Sequence, residues 1–173
     1  MPRNIVLTGL RGSGKSKLGK ILSEKLEMNF VDLDEEIERE TGSTIKEIVE
    51  KNGWEFFRKL ENKVTKKIAK LKKTVIATGG GCIIDPENER ELKKNGIIVY
   101  LNTKPEICAK RILNSKKRPP LTNKKSLEEE MKHLYKERHT RYKESAEIVF
   151  KRSDDKEKDA EKLKKMLGPF LQR

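Results

Sequence analysis

The most chemically informative residues lie near the start of the chain, where a glycine-rich segment follows a short apolar run. Residues 9–16 fit the pattern G-x-x-x-x-G-K-[ST], and residues 5–7 before them have the composition of a buried strand. Glycines at this spacing let backbone N–H groups turn inward around phosphate oxygens, and a helix beginning near Lys15 adds its positive dipole end. Lys15 is expected to reach the β- and γ-phosphates, and the Ser16 hydroxyl to bind Mg²⁺. The pattern predicts a nucleoside triphosphate as the ligand.

Two carboxylates follow the second apolar run, in Val31-Asp32-Leu33-Asp34. Side chains alternate along a strand, so Asp32 and Asp34 are expected to project toward one side of the carboxyl edge of the sheet. Ligands of doubly wound α/β sheets bind at that edge. One carboxylate could orient Mg²⁺ through water, and the other could receive the proton of an acceptor hydroxyl. The alternative is that both are solvated acids capping a helix that begins at Glu35.

Three consecutive glycines, Gly79, Gly80 and Gly81, come directly after another apolar run at residues 74–77. Glycine lacks a Cβ atom, so such a segment permits a ligand to approach the backbone closely. The alternative is a flexible turn with no ligand. We favour a binding loop, because the run before it has the composition of a buried strand.

Arg58 lies in the aromatic segment 53–61 of a chain with few aromatic residues. An arginine beside such a cluster could bind a planar carboxylate through two parallel hydrogen bonds. The alternative is that Phe56 and Phe57 are core residues and that Arg58 pairs with a glutamate on the helix surface. We expect Phe57 to belong to the core on either interpretation.

Alternating strands and helices must position these residues. Helical patterns separate the apolar runs, and this alternation predicts a three-layer α/β fold with a parallel sheet. Pro86 and Pro105 are expected in the first turns of two helices. A polar, basic segment at residues 114–125 predicts an exposed loop that could act as a lid. The predicted strands are residues 4–8, 30–33, 74–78, 97–101 and 148–150, and the predicted helices are residues 15–26, 44–51, 54–71 and a charged tail helix over 153–165 that ends at Gly168-Pro169.

Length and charge restrict the class of protein. A chain of 173 residues is the size of one compact domain. Its net charge of +13 comes from 41 Lys and Arg against 28 Asp and Glu. The lysines are spread evenly, without the clustered basic stripe and interleaved aromatics of single-strand binders. We therefore expect no nucleic-acid partner, and interpret the charge as serving solubility and attraction of nucleotide.

Cellular setting and cysteine use are consistent with an intracellular enzyme. No apolar stretch approaches the length of a membrane span, and no signal peptide precedes the first strand, so we expect a cytoplasmic protein with no membrane partner. Cys82 and Cys108 form neither a disulfide framework nor a metal pattern, and we expect both to be largely buried. His133 and His139 would lie on opposite sides of a helix, which makes a shared metal improbable.

The motifs, taken in order, resemble those of the shikimate kinase family over essentially the whole chain. Each motif is weak alone, but six in order at matching spacing are very specific. The segments that carry the resemblance are residues 9–16, 30–34 (F-x-D-x-D), 53–61 (G-x-x-x-F-R-x-x-E), 79–81, 118–121 (an R-P-L type) and 138–146 (R-x-x-x-Y-x-E-x-A).

The resemblance implies a fold and an activity. The fold is the P-loop NTPase fold of the nucleoside-monophosphate-kinase type, with a five-stranded parallel sheet, flanking helices and a mobile lid. One domain, residues 1–173, would hold an acceptor-binding region at about 33–61 and the lid at about 112–125. The implied reaction transfers the ATP γ-phosphoryl group to the 3-hydroxyl of shikimate, with Mg²⁺ as cofactor. ATP and shikimate would be the only partners of a monomer.

The resemblance also assigns roles to single residues. Asp34 would contact the ring hydroxyls and act as the base, while Arg118 on the lid and Lys15 on the floor would stabilise charge on the transferring group. Ser16 would hold Mg²⁺ directly and Asp32 through water. The residues implied to bind ATP are Gly12, Ser13, Gly14, Lys15, Ser16 and Arg118, and those implied to bind shikimate are Asp34, Arg58, Gly79, Gly80, Gly81 and Arg138.

The chain departs from the family pattern in two places, which leaves alternatives open. Pro120 stands where the family commonly has leucine, and Lys116 and Lys117 offer cations beside Arg118 on the lid. Near the end, Thr140-Arg141 replaces the usual proline and leucine, so Arg141 is a second candidate beside Arg138. The register favours Arg138, because its four-residue spacing to Tyr142 is kept. The rival enzyme is a related kinase acting on gluconate or a nucleoside monophosphate, and the rival from another class is a nucleotide-dependent binding protein.

Overall fold

The computed structural model describes residues 3–113 and 119–172, and its centre is a five-stranded parallel sheet. The strand order is β2-β3-β1-β4-β5, and every neighbouring pair runs parallel. The predicted sheet is confirmed, and each strand end lies within one residue of its expected position. The strands are β1 Asn4–Thr8, β2 Asn29–Asp32, β3 Thr74–Ala77, β4 Gly96–Asn102 and β5 Ile148–Lys151.

Helices connect the strands and cover both faces of the sheet. Pro86 and Pro105 each lie in the first turn of a helix, as predicted. None of the helices in the described part of the chain combines the length and apolar character that a membrane span needs. The helices are α1 Lys15–Lys25, α2 Leu33–Thr41, α3 Ile45–Ile68, α4 Pro86–Asn95, α5 Pro105–Ile112, α6 Leu127–Ser145 and α7 Lys156–Leu171.

Three helix boundaries differ from the prediction. The two helices expected over 44–51 and 54–71 adjoin as α3, with one interruption at Gly53, whose φ of 83° and ψ of 169° are not helical. The helix expected from Glu35 begins at Leu33, because Asp32 already caps it. The predicted end of the last helix at Gly168-Pro169 is wrong, since α7 continues to Leu171.

The extension of α7 has a packing cause. Proline lacks a backbone N–H and costs a hydrogen bond inside a helix. Here Pro169 lies only two residues before the helix end, and Phe170 and Leu171 beyond it pack against the buried side chains beneath the sheet. Burial of those two side chains offsets the missing bond.

Two apolar cores lie on opposite faces of the sheet, as period-2 alternation requires. In β1, Val6 joins one core and Ile5 and Leu7 join the other. The Val6 side is covered by α2, α3 and α6, and the other side by α1 and α7. Cys82 and Cys108 are both buried, as expected. This confirms the three-layer arrangement, which brings the segments after β1, β2 and β3 to one edge of the sheet.

Candidate active site

The glycine-rich segment after β1 forms a tight loop whose shape depends on glycine. Gly12 has a φ of 80°, and a Cβ atom on it would lie 2.6 Å from the Cys108 carbonyl oxygen. Gly14 has a φ of 90° in the left-handed region and forms the N-cap of α1. The left-handed region is costly for residues with a side chain, and neither position has room for one. The loop therefore leads directly into the N-terminus of α1, where the first backbone N–H groups have no acceptor within the helix itself.

Lys15, the first residue of α1, folds back into this loop. Its ammonium group donates to the carbonyl oxygens of Gly9 and Leu10 at 2.8 and 2.9 Å, and it lies 3.4 Å from Ser13 Oγ. The residue is only 8% exposed. A buried cation is therefore held in the concavity of the loop, where it can exchange carbonyl oxygens for phosphate oxygens.

Asp32 serves two neighbours at once. Its Oδ1 accepts hydrogen bonds from the backbone N–H groups of Asp34 and Glu35, at 3.0 and 3.3 Å, and so caps α2. Its Oδ2 accepts a hydrogen bond from the Ser16 hydroxyl on α1. The capping alternative and the site interpretation are thus compatible for this residue. A hydroxyl and a carboxylate oxygen in contact are hard oxygen donors, the type that Mg²⁺ prefers.

Asp34 lies in the first turn of α2 and is half-buried. Asp34 is close enough to the Cys82 thiol to affect its pKa, which is raised well above the usual value. Burial is the main cause, the charges of Glu61 and Asp34 add to it, and Arg58 opposes it. Two acids and an arginine therefore surround this buried thiol, which stays protonated and inert.

Arg58 on α3 is fixed between a buried acid and the glycine segment. Its Nη1 donates to Glu61 at 2.6 Å, so the pairing with a glutamate that the alternative interpretation named does occur. The Glu61 side chain is 1% exposed, so the pair is not on the helix surface as that alternative had it. The guanidinium also lies near the rings of Trp54 and Phe57, with Cζ 5.6 and 5.3 Å from the ring centroids. A Cβ atom on Gly81 would lie 2.7 Å from Arg58 Cζ. Only glycine lets this guanidinium approach the backbone so closely.

The aromatic segment around Arg58 divides between core and surface. Phe57 is fully buried, which confirms its expected place in the core. Phe56 is 43% exposed, so its assignment to the core on the alternative interpretation is wrong. Consecutive helix positions point in directions about 100° apart, so both phenylalanines cannot face the sheet.

Gly80 lies between the phosphate loop and Arg138. A Cβ atom on Gly80 would lie 3.3 Å from the backbone nitrogen of Arg11, 3.4 Å from Gly9 O and 3.7 Å from Arg138 Nη1. The segment is tethered at its start, where Thr78 N and Oγ1 both donate to Leu7 O, at 3.1 and 3.0 Å. Arg138 on α6 therefore lies beside Gly80, next to the Gly81 that Arg58 approaches from α3.

Tyr142 lies at the candidate site, although the sequence analysis included it only as the tyrosine of the 138–146 motif and gave it no role. It is fully buried, and its hydroxyl donates to the carbonyl oxygen of Gly80 at 2.6 Å. Burial raises its pKa to about 12, while Arg138 opposes this shift, so the hydroxyl remains a donor at neutral pH. The four-residue spacing from Arg138 puts both on one face of α6 and was the available signal.

The side chains of Arg141 and Arg138 contact different parts of the protein. Arg141 pairs with Glu89 on α4, away from the glycine segment. Arg138 lies beside Gly80 and Tyr142. Of the two arginines left open by the sequence, only Arg138 lies at the sheet edge that holds Asp34 and Arg58.

The predicted lid is described in part. Arg118 and its two alternatives, Lys116 and Lys117, lie outside the described residues. After them, the backbone N–H groups of Leu121 and Thr122 donate to Oε1 of Glu130 at 2.6 and 2.8 Å. Glu130 is 5% exposed and belongs to the first turn of α6. This contact fixes the C-terminal end of the predicted lid to the helix that carries Arg138.

Helix α6 itself was not among the predicted helices. Its sequence is rich in charge on nearly every face, so no apolar stripe marks it. Ser126 caps it through the N–H of Glu129 at 3.2 Å, and three glutamates occupy its first turn. These start signals were present in the sequence, and they place Arg138 and Tyr142 on a regular element.

Comparison with known proteins agrees with this geometry. A family model described as shikimate kinase matches residues 11–168. A shikimate kinase of Caldanaerobacter subterraneus subsp. tengcongensis is 45% identical over 119 residues, covering 69% of this chain and 70% of that one. The chain belongs to the shikimate kinase family. A solved shikimate kinase from Acinetobacter baumannii in complex with shikimate superposes with a TM-score of 0.94 at 36% identity, covering 100% of this chain and 97% of that chain.

Membership in the shikimate kinase family makes this chain an ATP-using kinase and confirms the resemblance and the fold type. A gluconokinase from Sinorhizobium meliloti, the class of enzyme raised as a rival, superposes with a TM-score of only 0.55 at 15% identity, although it covers 99% of this chain and 96% of its own. That likeness shows a shared fold alone. The shikimate kinase match spans the acids after β2, the arginines and the glycine segment after β3.

Proposed function

We propose that the protein transfers the γ-phosphoryl group of ATP to the 3-hydroxyl of shikimate, giving shikimate 3-phosphate and ADP. The observation that carries the proposal is the approach of Arg58 and Arg138, from two different helices, to the adjacent residues Gly81 and Gly80, of which Gly80 also packs against the phosphate loop. Two guanidinium groups beside a Cβ-free backbone suit a small planar carboxylate. The phosphate donor and the acceptor would thus meet at one edge of the sheet.

On the donor side, the loop and the start of α1 would bind the phosphates of ATP. Backbone N–H groups of residues 12–16 would face the phosphate oxygens, and Lys15 would leave the carbonyls of Gly9 and Leu10 for the β- and γ-phosphates. Arg118 on the lid would close over the phosphates from the other side. The proposed ATP-binding residues are Gly12, Ser13, Gly14, Lys15, Ser16 and Arg118.

A magnesium ion fits beside these residues. Ser16 and Asp32 already share a hydrogen bond, so an ion could take the hydroxyl oxygen directly and the carboxylate through a water molecule. Mg²⁺ usually keeps several waters and binds few protein oxygens together with substrate phosphates. When bound by Ser16 and Asp32, Mg²⁺ would supply positive charge that neutralises the phosphates. Asp32 would hold its position because its other oxygen remains bound to the start of α2.

On the acceptor side, Asp34 would take the proton of the 3-hydroxyl as that oxygen attacks the γ-phosphorus and ADP leaves. Phosphoryl transfer passes through a loose transition state, so positioning and charge stabilisation matter more than a strong base. Arg58 and Arg138 would hold the carboxylate of shikimate, and Gly79, Gly80 and Gly81 would contact the ring. Tyr142 would keep the Gly80 peptide in place through its hydrogen bond.

We propose that one chain suffices for activity. Every side chain in the proposed site comes from the same chain, within a single domain of residues 1–173, an acceptor region at about 33–61 and a lid at about 112–125. The protein would act as a cytoplasmic monomer on small molecules. The exposed lysines Lys59, Lys66 and Lys67 on α3 each pair with a glutamate. This pairing favours small-molecule substrates over a nucleic-acid partner, which would need free basic groups for its phosphates.

The proposed activity is tested by measuring ADP release from Mg-ATP with shikimate, quinate, gluconate and CMP offered separately. We expect turnover with shikimate alone, because the chain belongs to the shikimate kinase family. Quinate and gluconate also carry a carboxylate and hydroxyl groups, so they test whether the site recognises more than those groups. A Lys15→Ala variant purified in the same way excludes a contaminating kinase. Turnover with gluconate or CMP would favour the rival kinase, and nucleotide binding without any turnover would favour a binding protein.

Replacement of Arg58 by lysine is expected to raise the KM for shikimate about tenfold, with little change in the KM for ATP. Lysine keeps the charge but loses the planar pair of donors, and it cannot bind Glu61 and a carboxylate in the same way. Steady-state kinetics with each substrate varied in turn measure both constants. Arg141→Lys is the matched control, because Arg141 pairs with Glu89 outside the site. Equal increases in both KM values would contradict the assignment.

A further inference from the structure

Arg152, which no motif singled out, is a buried cation between β5 and α7. Its side chain is 2% exposed, and its Nε donates to Oδ2 of Asp159 at 2.8 Å. Asp159 also accepts hydrogen bonds from the backbone N–H and the hydroxyl of Ser153. Burying an ion pair is costly and often contributes nothing net to stability. We therefore expect this ion pair to have a role other than stabilising the packing of α7.

The free end of the guanidinium lies against the phosphate loop. Arg152 Nη1 donates to the carbonyl oxygen of Gly14 at 3.4 Å, and a Cβ atom on Gly14 would lie 2.8 Å from the same nitrogen. The lack of a side chain at Gly14 is thus what lets the guanidinium reach the backbone. Asp159 holds the other end, so the direction of the side chain is set from both sides.

The Gly14 carbonyl belongs to the same peptide group as the N–H of Lys15, the first residue of α1. The first N–H groups of a helix have no partner within it and are available to an anion. A cation that binds the carbonyl end of a peptide group polarises that group and makes its N–H a better donor.

A second arginine acts on the neighbouring turn of the loop. Arg111 Nη1 donates to the carbonyl oxygen of Gly12 at 3.2 Å, but it does so from the exposed face of α5. Burial lowers the pKa of Arg152, with the nearby charge of Arg111 adding to the shift and Asp159 opposing it. Arginine nevertheless remains charged in proteins, so the loop is braced by a permanent buried cation on the α7 side.

We propose that Arg152 is a positioning residue for nucleotide binding, which holds the Gly14–Lys15 peptide with its N–H toward the phosphates. The inference rests on the proposed binding of ATP at this loop. Because Arg152 would act through the backbone, it would influence both ATP and ADP and leave the acceptor side untouched. Its paired acid would serve to aim the guanidinium.

The test is the dissociation constant of MgADP, measured by calorimetry without shikimate for the wild type and an Arg152→Met variant. We expect the constant to rise about tenfold, as for the loss of a charge-assisted hydrogen bond. The KM for shikimate is expected to stay unchanged. Lys151→Met is the matched control, because it removes one positive charge from an exposed neighbour and should leave the MgADP constant as it was. An unchanged constant in folded Arg152→Met overturns the inference.

A double variant distinguishes positioning of the loop by Arg152 from the effect of leaving the buried carboxylate of Asp159 unpaired. In Arg152→Met/Asp159→Leu the buried pair is replaced by apolar side chains, an exchange that is often neutral for stability. If Arg152 positions the loop, MgADP binding stays about tenfold weak in the double variant. Recovery of wild-type affinity would overturn the inference, because only the unpaired acid would then have mattered. Failure of shikimate turnover in a wild type that binds MgADP would count against the proposed function alone.

Discussion

Replacement of Lys15 by methionine is expected to lower kcat/KM for ATP on the order of a thousandfold. The ammonium group is the only buried cation held within the concavity of the phosphate loop in the described part of the chain, and α1 begins at this residue. Negative charge spreads over the γ-phosphoryl oxygens in the transition state, so a fixed cation there stabilises the transition state more than the ground state. Steady-state kinetics with varied ATP measure the loss.

Lys17→Met is the matched control for the Lys15 prediction. Lys17 lies two residues further along α1 and is exposed, so its loss removes the same charge without touching the loop. Methionine at position 15 also deletes the hydrogen bonds to the carbonyls of Gly9 and Leu10, and thermal unfolding will show whether the loop still folds. A folded Lys15→Met protein with more than a tenth of wild-type kcat/KM would contradict the assigned role.

Local sequence patterns predicted the elements that surround the phosphate loop well. Strand β1, the glycine loop and the start of α1 are contiguous, so their relative placement follows from backbone geometry within a few residues. The carboxyl edge of a parallel sheet then brings the acids after β2 and the glycines after β3 to the same place. No long-range detail was required for these elements.

The acceptor half depends on contacts between distant segments, which a local pattern does not contain. Arg58 could be placed on a helix, but its buried partner Glu61 and its approach to Gly81 appear only when α3 packs on the sheet. Tyr142 reaches Gly80 from 62 residues away. The four-residue spacing to Tyr142 favoured Arg138 over Arg141, but the partner that holds Arg141 elsewhere, Glu89 on α4, appears only in the fold.

The same limit explains why the buried arginine beside the phosphate loop was missed. Residues 152–159 are mostly charged and read as solvated surface. Packing of α7 against α1 buries one arginine and one aspartate of that segment and leaves the remaining charges exposed. The direction of a single side chain toward Gly14 carries no signature in composition or spacing.

Replacement of Asp34 by asparagine is expected to lower kcat on the order of a thousandfold, with little change in the KM for ATP. Asparagine keeps the size of the side chain and can still bind a hydroxyl, but it can neither accept the proton nor carry the negative charge. Asp32 already binds the backbone N–H of residue 34, so the start of α2 should survive the change. Glu35→Gln is the matched control, because Glu35 is the next residue of α2 and its side chain is exposed.

The comparison of Asp34→Asn with Asp34→Ala decides what the carboxylate contributes. In a loose transition state the acceptor oxygen keeps its proton until late, so a carboxylate could act mainly by orienting the hydroxyl. If orientation dominates, the asparagine variant should be about tenfold faster than the alanine variant, because it retains a hydrogen-bond acceptor. If proton acceptance and charge dominate, both variants should be equally slow. Turnover of Asp34→Asn near the wild-type rate would remove Asp34 from the mechanism and leave the arginines and Lys15 to account for catalysis.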